Sequence, residues 1–312
     1  MSVHAIDSAK TATLRVAVDR FLSSPRCKNP NTRRAYTNVL DRVAERVGAD
    51  RVLAGVSGDR LAEVLDELWG QAMPATWNRN RASVAALLIW CAKNSIAAPT
   101  LPASAERRRE DVDETKALTR AEIERLLTRR DVPLREKTLW RMLYETAARA
   151  NEILALDIED LDVDARRAAV VSKGGATEYV YWASGTARLL PRLIAGRAEG
   201  PLFLSERRPG PARRPASKDL CPTTGRARLG YDRARVLLDQ YTSPSDGVPG
   251  WDLHQLRHSA ATHLGEQNVE LGLLMAKTRH RNPRTAMRYV KPGADAVAEV
   301  TALLDVAPPR RG

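Results

Sequence analysis

The stretch WDLHQLRHSAATHL, Trp251 to Leu264, sets His254, Arg257 and His258 at i, i+3 and i+4. On a helix these three share one face. Three of the five histidines of the chain fall inside this stretch. Two imidazoles and a guanidinium in one place can hold a metal, pack as a structural cluster, or grip a phosphate. Paired histidines at i, i+4 suit zinc, but the HExxH form needs a Glu where this chain has Gln255, and Arg257 would bring positive charge beside the cation. No Cys lies near to complete a site. A structural histidine pair is the plain alternative, and it leaves the Arg on the same face unexplained. The phosphate reading uses all three: guanidinium binds two oxygens with a rigid fork, and imidazole donates a hydrogen bond or moves a proton near neutral pH.

A phosphate clamp needs further groups, and the sequence offers them. Arg149 and Glu152 stand at i, i+3 in TAARANEILAL, with the carboxylate placed to orient the guanidinium. Lys173 begins the turn-like Lys173-Gly174-Gly175, His280 sits in TRHRNP, and Tyr289 follows in TAMRYV. Taken singly, each is an ordinary surface residue. Lys173 stands out by type, since only nine of the 50 basic residues are Lys, and Lys gives up a proton where Arg does not.

The elements that must position these groups are mostly helical. Leu14 to Leu22, Thr32 to Val47 and Arg60 to Trp69 show apolar residues at helical spacing, as does the stretch ATWNRNRASVAALLIWCAKN. Glycines and Pro74 punctuate them. Arg33, Arg34, Arg79 and Arg81 lie near the starts of the second and fourth helices, where phosphate contacts are expected; exposed surface arginine is the competing reading. A Pro-containing, highly charged segment follows. It divides the chain into a helical domain at 1–104, a linker at 105–116 and a second domain at 117–312. The second domain opens with a capping box, Thr119 and Glu122. KTLWRMLYETAARANEILAL reads as one helix, and AAVV and EYVYW flank the Gly turn as a hairpin. The basic, Pro-rich stretch 205–225 reads as a surface loop, and the chain returns to helix after it. The expected fold is mainly α with a small β-hairpin or sheet in the second domain.

Composition narrows the class. Net charge is +12 over 312 residues, and the first hundred residues hold 14 basic and 9 acidic side chains, so the excess is spread along the chain and is not a tail. That suits a polyanionic partner, nucleic acid first. Three scattered cysteines exclude a disulfide scaffold or a zinc ribbon and fit a reducing compartment, the cytoplasm. The uncharged run Ala82 to Ala92 is too short to span a bilayer.

The ordered set Arg149, Lys173, His254-x-x-Arg257, His280 and Tyr289 resembles the tyrosine site-specific recombinases, the phage integrase family. TRRAYTNVL and TWNRNRASVAALLIW resemble helices of the family's core-binding domain, and the chain from KALTRAEIERLL onward resembles its catalytic domain. The resemblance implies that Tyr289 attacks a DNA phosphodiester to leave a 3′-phosphotyrosyl link, and that Arg149 and Arg257 hold the non-bridging oxygens. It further implies that His280 adds a hydrogen bond, His254 assists the Tyr289 proton and Lys173 protonates the leaving 5′-oxygen, with Glu152 and His258 in support. It implies no metal and no other cofactor, double-stranded DNA as partner, and a homotetramer on two synapsed sites with a monomer or dimer when free. The final segment ADAVAEVTALL resembles the helix that family members dock on a neighbouring protomer.

Two departures stand beside the motifs: Ala147-Ala148 where many members have Thr-Gly, and Thr278-Arg279 where many have Leu-Gly. Arg279 is an additional candidate for DNA contact. The chain is read as starting directly with the core-binding domain, without an arm-binding domain before it. Two other classes remain open: a non-catalytic DNA-binding protein of this fold, and a type IB topoisomerase-like relaxing enzyme.

Overall fold

The computed structural model describes residues 12–110, 117–172, 175–211, 215–290, 297–298 and 301–302. The chain divides into two compact units, Met1–Val112 and Asp113–Gly312, each with its own apolar core.

Among its described residues the first unit packs four α-helices: α1 (Leu14–Leu22), α2 (Pro30–Val47), α3 (Gly58–Trp69) and α4 (Pro74–Lys93). Their starts are set by short polar caps. Thr13 accepts from Val16 N–H, Asn29 from Asn31 and Thr32 N–H, and Ser57 from Arg60 N–H, which satisfies donors a helix N-terminus leaves open. Their apolar faces close over Leu14, Phe21, Leu40, Leu61, Leu65 and Leu87. The expected linker from 105 belongs in part to this unit. Trp77 Nε1 donates to Glu106 O at 2.9 Å, while buried Asn78 donates to Arg108 O at 2.8 Å and accepts from Arg108 N–H at 2.9 Å. The Arg108 guanidinium lies 4.0 Å over the Trp77 ring. Polar side chains buried on α4 thus tie residues 106–110 down, a use of Asn that apolar periodicity does not reveal.

The second unit holds α5 (Arg120–Thr128), α6 (Leu134–Thr146), α7 (Ala150–Leu154), β1 (Leu161–Asp162), β2 (Arg167–Val171), β3 (Thr177–Tyr181), α8 (Ser184–Ile194), α9 (Tyr231–Thr242), α10 (Leu253–Gly265), α11 (Leu271–Thr278) and α12 (Pro283–Met287). The strands form one antiparallel sheet in the order β1-β2-β3, with Ala169 opposite Tyr179. Thr119 and Glu122 form the expected capping box. The segment read as one helix is two. α6 stops at Thr146, Ala147 turns left-handed at φ +52, and Arg149 becomes the N-cap residue of α7. The described residues of 205–225 are mostly exposed, as a surface loop requires, with one short 3-10 turn at Ser217–Asp219. Arg228 ties Asp219, at 2.9 Å, to Asp157, at 2.7 Å, and donates to the carbonyls of Leu154, Ala155 and Leu156. Among the described residues no helix is long and apolar enough to cross a membrane. The three cysteines are free and buried.

Candidate active site

The site is built where α6, α10 and α11 end or begin. α10 is started by Asp252, whose carboxylate accepts His254 N–H at 2.8 Å while Gln255 returns a bond to Asp252 N–H. Its inner face, Leu253, Leu256, Ser259, Ala260 and Ala261, is buried. Ser259 Oγ accepts Leu118 N–H at 2.8 Å, which ties the helix to the start of the unit.

Arg257 is on that inner face, 4% exposed. Nη1 donates to Ala147 O at 2.5 Å and Nη2 to Thr278 O at 2.7 Å. Both carbonyls sit at turns with a left-handed residue, Ala147 at φ +52 and Arg279 at φ +56. Arg279 stands where the resemblance puts glycine, and Ala147 lies in the other departing pair, Ala147-Ala148. Glycine adopts this backbone without strain and other residues at a cost of about 1–3 kcal/mol, so the turns survive the substitutions. Burial, then the positive charges of Arg149 and Arg279, push the Arg257 pKa down to about 10. An anion placed among these cations reverses that pressure.

Arg149 Nη1 donates to Glu152 Oε1 at 2.7 Å, and Arg149 N–H donates to Oε2 at 2.9 Å. The Glu152 carboxylate is 7% exposed against 41% for the Arg149 side chain, so a buried anchor holds an accessible guanidinium. This is the orienting role the i, i+3 spacing suggests.

His280 is half-buried beside them. Nδ1 lies 2.7 Å from Thr278 Oγ1, whose own hydroxyl donates to Leu274 O. Nδ1 must therefore carry the proton, and Nε2, 3.3 Å from Arg257 Nη2, accepts. Burial and the neighbouring Arg257 and Arg149 hold the His280 pKa down at about 4, so the ring is neutral at pH 7.

Tyr289 lies 7% exposed against Ala261 and Leu274. Its ring stacks on His280 at 5.7 Å and meets His258 edge-on at 5.1 Å. The hydroxyl is 3.1 Å from His258 Nδ1. The imidazole at the Tyr289 hydroxyl is thus that of His258, and not that of His254. His254 keeps an exposed side at the start of α10, and burial of the rest and then Arg257 lower its pKa. His263, the third histidine of the opening stretch, is structural: its Nδ1 lies 2.8 Å from Tyr144 Oη on α6. Gly265 also proves essential. A Cβ there would lie 1.7 Å from Tyr289 O, so only glycine lets the Tyr289 backbone close on α10.

Other expected residues fall elsewhere. Lys173 lies outside the described residues, as do most residues of ADAVAEVTALL. Arg279, the additional candidate for DNA contact, has a side chain 6% exposed that turns inward to Glu152 and Glu178. In the first unit Arg33, Arg34 and Arg79 are exposed, while Arg81 Nε donates to Ala105 O. Arg79 and Arg81 share a groove of about 520 Å³ with Arg26 and Arg107. Among the described residues no group of three or more His, Cys, Asp and Glu side chains could hold a metal ion.

Two guanidiniums, a neutral imidazole and a tyrosine paired with a second imidazole thus converge in one place. The sequence profile of the phage integrase family matches residues 116–295, more than half of the chain, and the chain belongs to this family. The tyrosine recombinase XerC of Mycobacterium bovis (strain BCG / Pasteur 1173P2) is 32% identical over 177 residues, 57% of this chain and 55% of that protein. This match spans about half the length of that relative. XerC of Mycobacterium sp. (strain JLS) is 27% identical over 314 residues, 94% of this chain and 98% of that protein. Among solved structures, the Tn1549 transposon integrase in complex with a circular intermediate DNA shares the fold with a TM-score of 0.72 at 13% identity, over 94% of this chain and 99% of that one. A lambda integrase dimer bound to a COC′ core site gives 0.68 at 15% identity, over 92% and 80%.

Proposed function

We propose that this chain is a site-specific DNA recombinase that breaks and rejoins duplex DNA through Tyr289. The observation that carries the reading is the Tyr289 hydroxyl held on His258 Nδ1 beside Arg257 and His280. A phenol with pKa about 10 is a weak nucleophile at neutral pH and needs a base. His258 takes the proton as the phenolic oxygen attacks phosphorus. The bond to the 5′-oxygen breaks, and the 3′-phosphate stays on the tyrosine. Arg149 and Arg257 stabilise charge on the non-bridging oxygens, work done elsewhere by metal ions. As phosphate enters, its charge raises the His280 pKa, and protonated Nε2 then donates to a phosphate oxygen. Lys173, from the family resemblance, delivers a proton to the leaving 5′-oxygen.

The phosphotyrosyl bond keeps the energy of the phosphodiester, so rejoining needs neither ATP nor metal. The groove with Arg26, Arg79, Arg81 and Arg107, together with exposed Arg33 and Arg34, supplies backbone contacts from the first unit. The working assembly is a homotetramer on two synapsed sites, in the cytoplasm. A plasmid carrying two copies of a cleaved duplex tests the reading. Exchange between the copies supports a recombinase; loss of supercoils without exchange marks a topoisomerase-like enzyme; tight binding without either marks a DNA-binding protein.

A further inference from the structure

Arg279 ends α11 in the left-handed conformation, φ +56, with a side chain 6% exposed. Its Nη2 pairs with the carboxylate of Glu152. Its Nε lies 3.2 Å from Glu178 Oε2 on β3, an ion contact off hydrogen-bond geometry. Among the described residues neither Nε nor Nη1 finds a hydrogen-bond acceptor. Arg281 reaches the same strands from the other side of His280, with Nη2 at 3.2 Å from Ser172 Oγ and 3.6 Å from Glu178 Oε1.

Three features oppose this arrangement: strained backbone on a non-glycine residue, a buried guanidinium and unmet donors. Glycine at 279 would remove all three. What sets against them is the pair of carboxylates, and each belongs to a different part of the site. Glu152 is the anchor of Arg149. Glu178 is on the strand that pairs with β2.

We propose that Arg279 is a positioning residue that clamps Arg149 and the β2–β3 hairpin to the turn carrying His280. The inference rests on the phosphotyrosyl reading above. Arg279 draws on Glu152 Oε2, which also accepts the Arg149 backbone N–H, and this leaves Oε1 for a single contact with the Arg149 guanidinium. The Arg149 side chain, 41% exposed, then keeps its other guanidinium N–H groups for a phosphate. Without Arg279, both oxygens of Glu152 can take Arg149 in a fork–fork pair, which draws the guanidinium off the phosphate. Through Glu178 the same cation fixes the hairpin against the site.

The test uses the full chain with Arg279→Gly, Arg279→Lys, Glu178→Gln and the double variant Glu178→Gln/Arg279→Gly. The probe is a nicked duplex recovered by covalent trapping on the unaltered protein from a randomised pool. Arg279→Gly is expected to slow adduct formation at saturating duplex by about tenfold to a hundredfold, with duplex affinity changed less than about threefold because phosphate contacts elsewhere carry it. Arg279→Lys restores part of the rate, since it keeps a cation for Glu152. Amide exchange across Arg167–Tyr181 quickens in Arg279→Gly, and Glu178→Gln removes less from Arg279→Gly than from the unaltered protein. A wild-type cleavage rate in Arg279→Gly overturns the proposal. So does a slow rate with unchanged hairpin exchange and no rescue by Lys. If no duplex is ever trapped on the unaltered protein, it is the phosphotyrosyl reading that fails. Hairpin exchange then still judges the clamp: quickened exchange supports it and unchanged exchange overturns it.

Discussion

The hydroxyl of Tyr289 lies 3.1 Å from Nδ1 of His258, whereas His254, one turn earlier on α10, keeps an exposed side beside Arg257. A base that takes a proton in the transition state contributes about 10²–10⁴-fold to a rate. His258→Ala is therefore expected to slow covalent adduct formation by at least about a hundredfold, with duplex binding retained. His254→Ala is expected to cost less. Single-turnover adduct formation on a nicked duplex measures both. A His258 variant that cleaves normally would remove the base from this account.

Gly265 sets where Tyr289 can sit. Its Cβ position falls 1.7 Å from a backbone oxygen, and backbone moves less readily than the tip of a side chain. Gly265→Ala should destabilise the second unit by about 1–3 kcal/mol, as overpacking does, and displace the nucleophile from His258. Thermal melting and the adduct assay should fall together. An unchanged rate would mean that Tyr289 reaches phosphorus from another backbone path.

The histidines make stability depend on pH. The folded His280 pKa of about 4 is below the ordinary value near 6.5, and burial also lowers His263. Between these values the unfolded chain binds more protons than the folded one. The contribution is thus fully present above the unfolded pKa and is lost as pH falls from about 6.5 toward 4. Melting temperatures taken from pH 7 to pH 4.5 should fall, and His280→Gln should flatten the slope. A melting temperature that rises on acidification contradicts the neutral, acceptor state assigned to His280 Nε2.

In the first unit, Asn78 is 6% exposed and bonds Arg108 through both ends of its amide. Asn78→Ala leaves part-buried backbone groups of Arg108 without partners, at a cost of about 1 kcal/mol. Calorimetry should show the first unit melting earlier, and limited proteolysis should cut near 106–110. Neither change would mean that the segment is held by its other contacts.

Much of this was legible in the sequence. Helices with a clean apolar period, Leu14–Leu22 above all, fall where spacing puts them, and the Arg149–Glu152 and Thr119–Glu122 pairs meet as their i, i+3 spacing requires. The break after Thr146 was hidden, because Ala147 is a strong helix former and only the Arg257 bond to its carbonyl shows why a left-handed turn is kept there. The choice between His254 and His258 was hidden for a similar reason. Both share a helical face, and only the approach of Tyr289 from a distant segment distinguishes them. Arg279 is visible in the sequence as a departure from glycine, but nothing in its neighbours shows that its charge turns inward to Glu152 and Glu178, which are distant along the chain.

The central claim is that Tyr289 becomes covalently joined to DNA, and trapping measures it most directly. The full chain is incubated with a randomised pool of nicked duplexes and probed for an adduct that survives SDS, beside Tyr289→Phe. The account predicts an adduct through the 3′-phosphate that disappears in Tyr289→Phe while duplex binding persists. An adduct of equal yield in Tyr289→Phe, or tight binding with no adduct from any duplex, would contradict it.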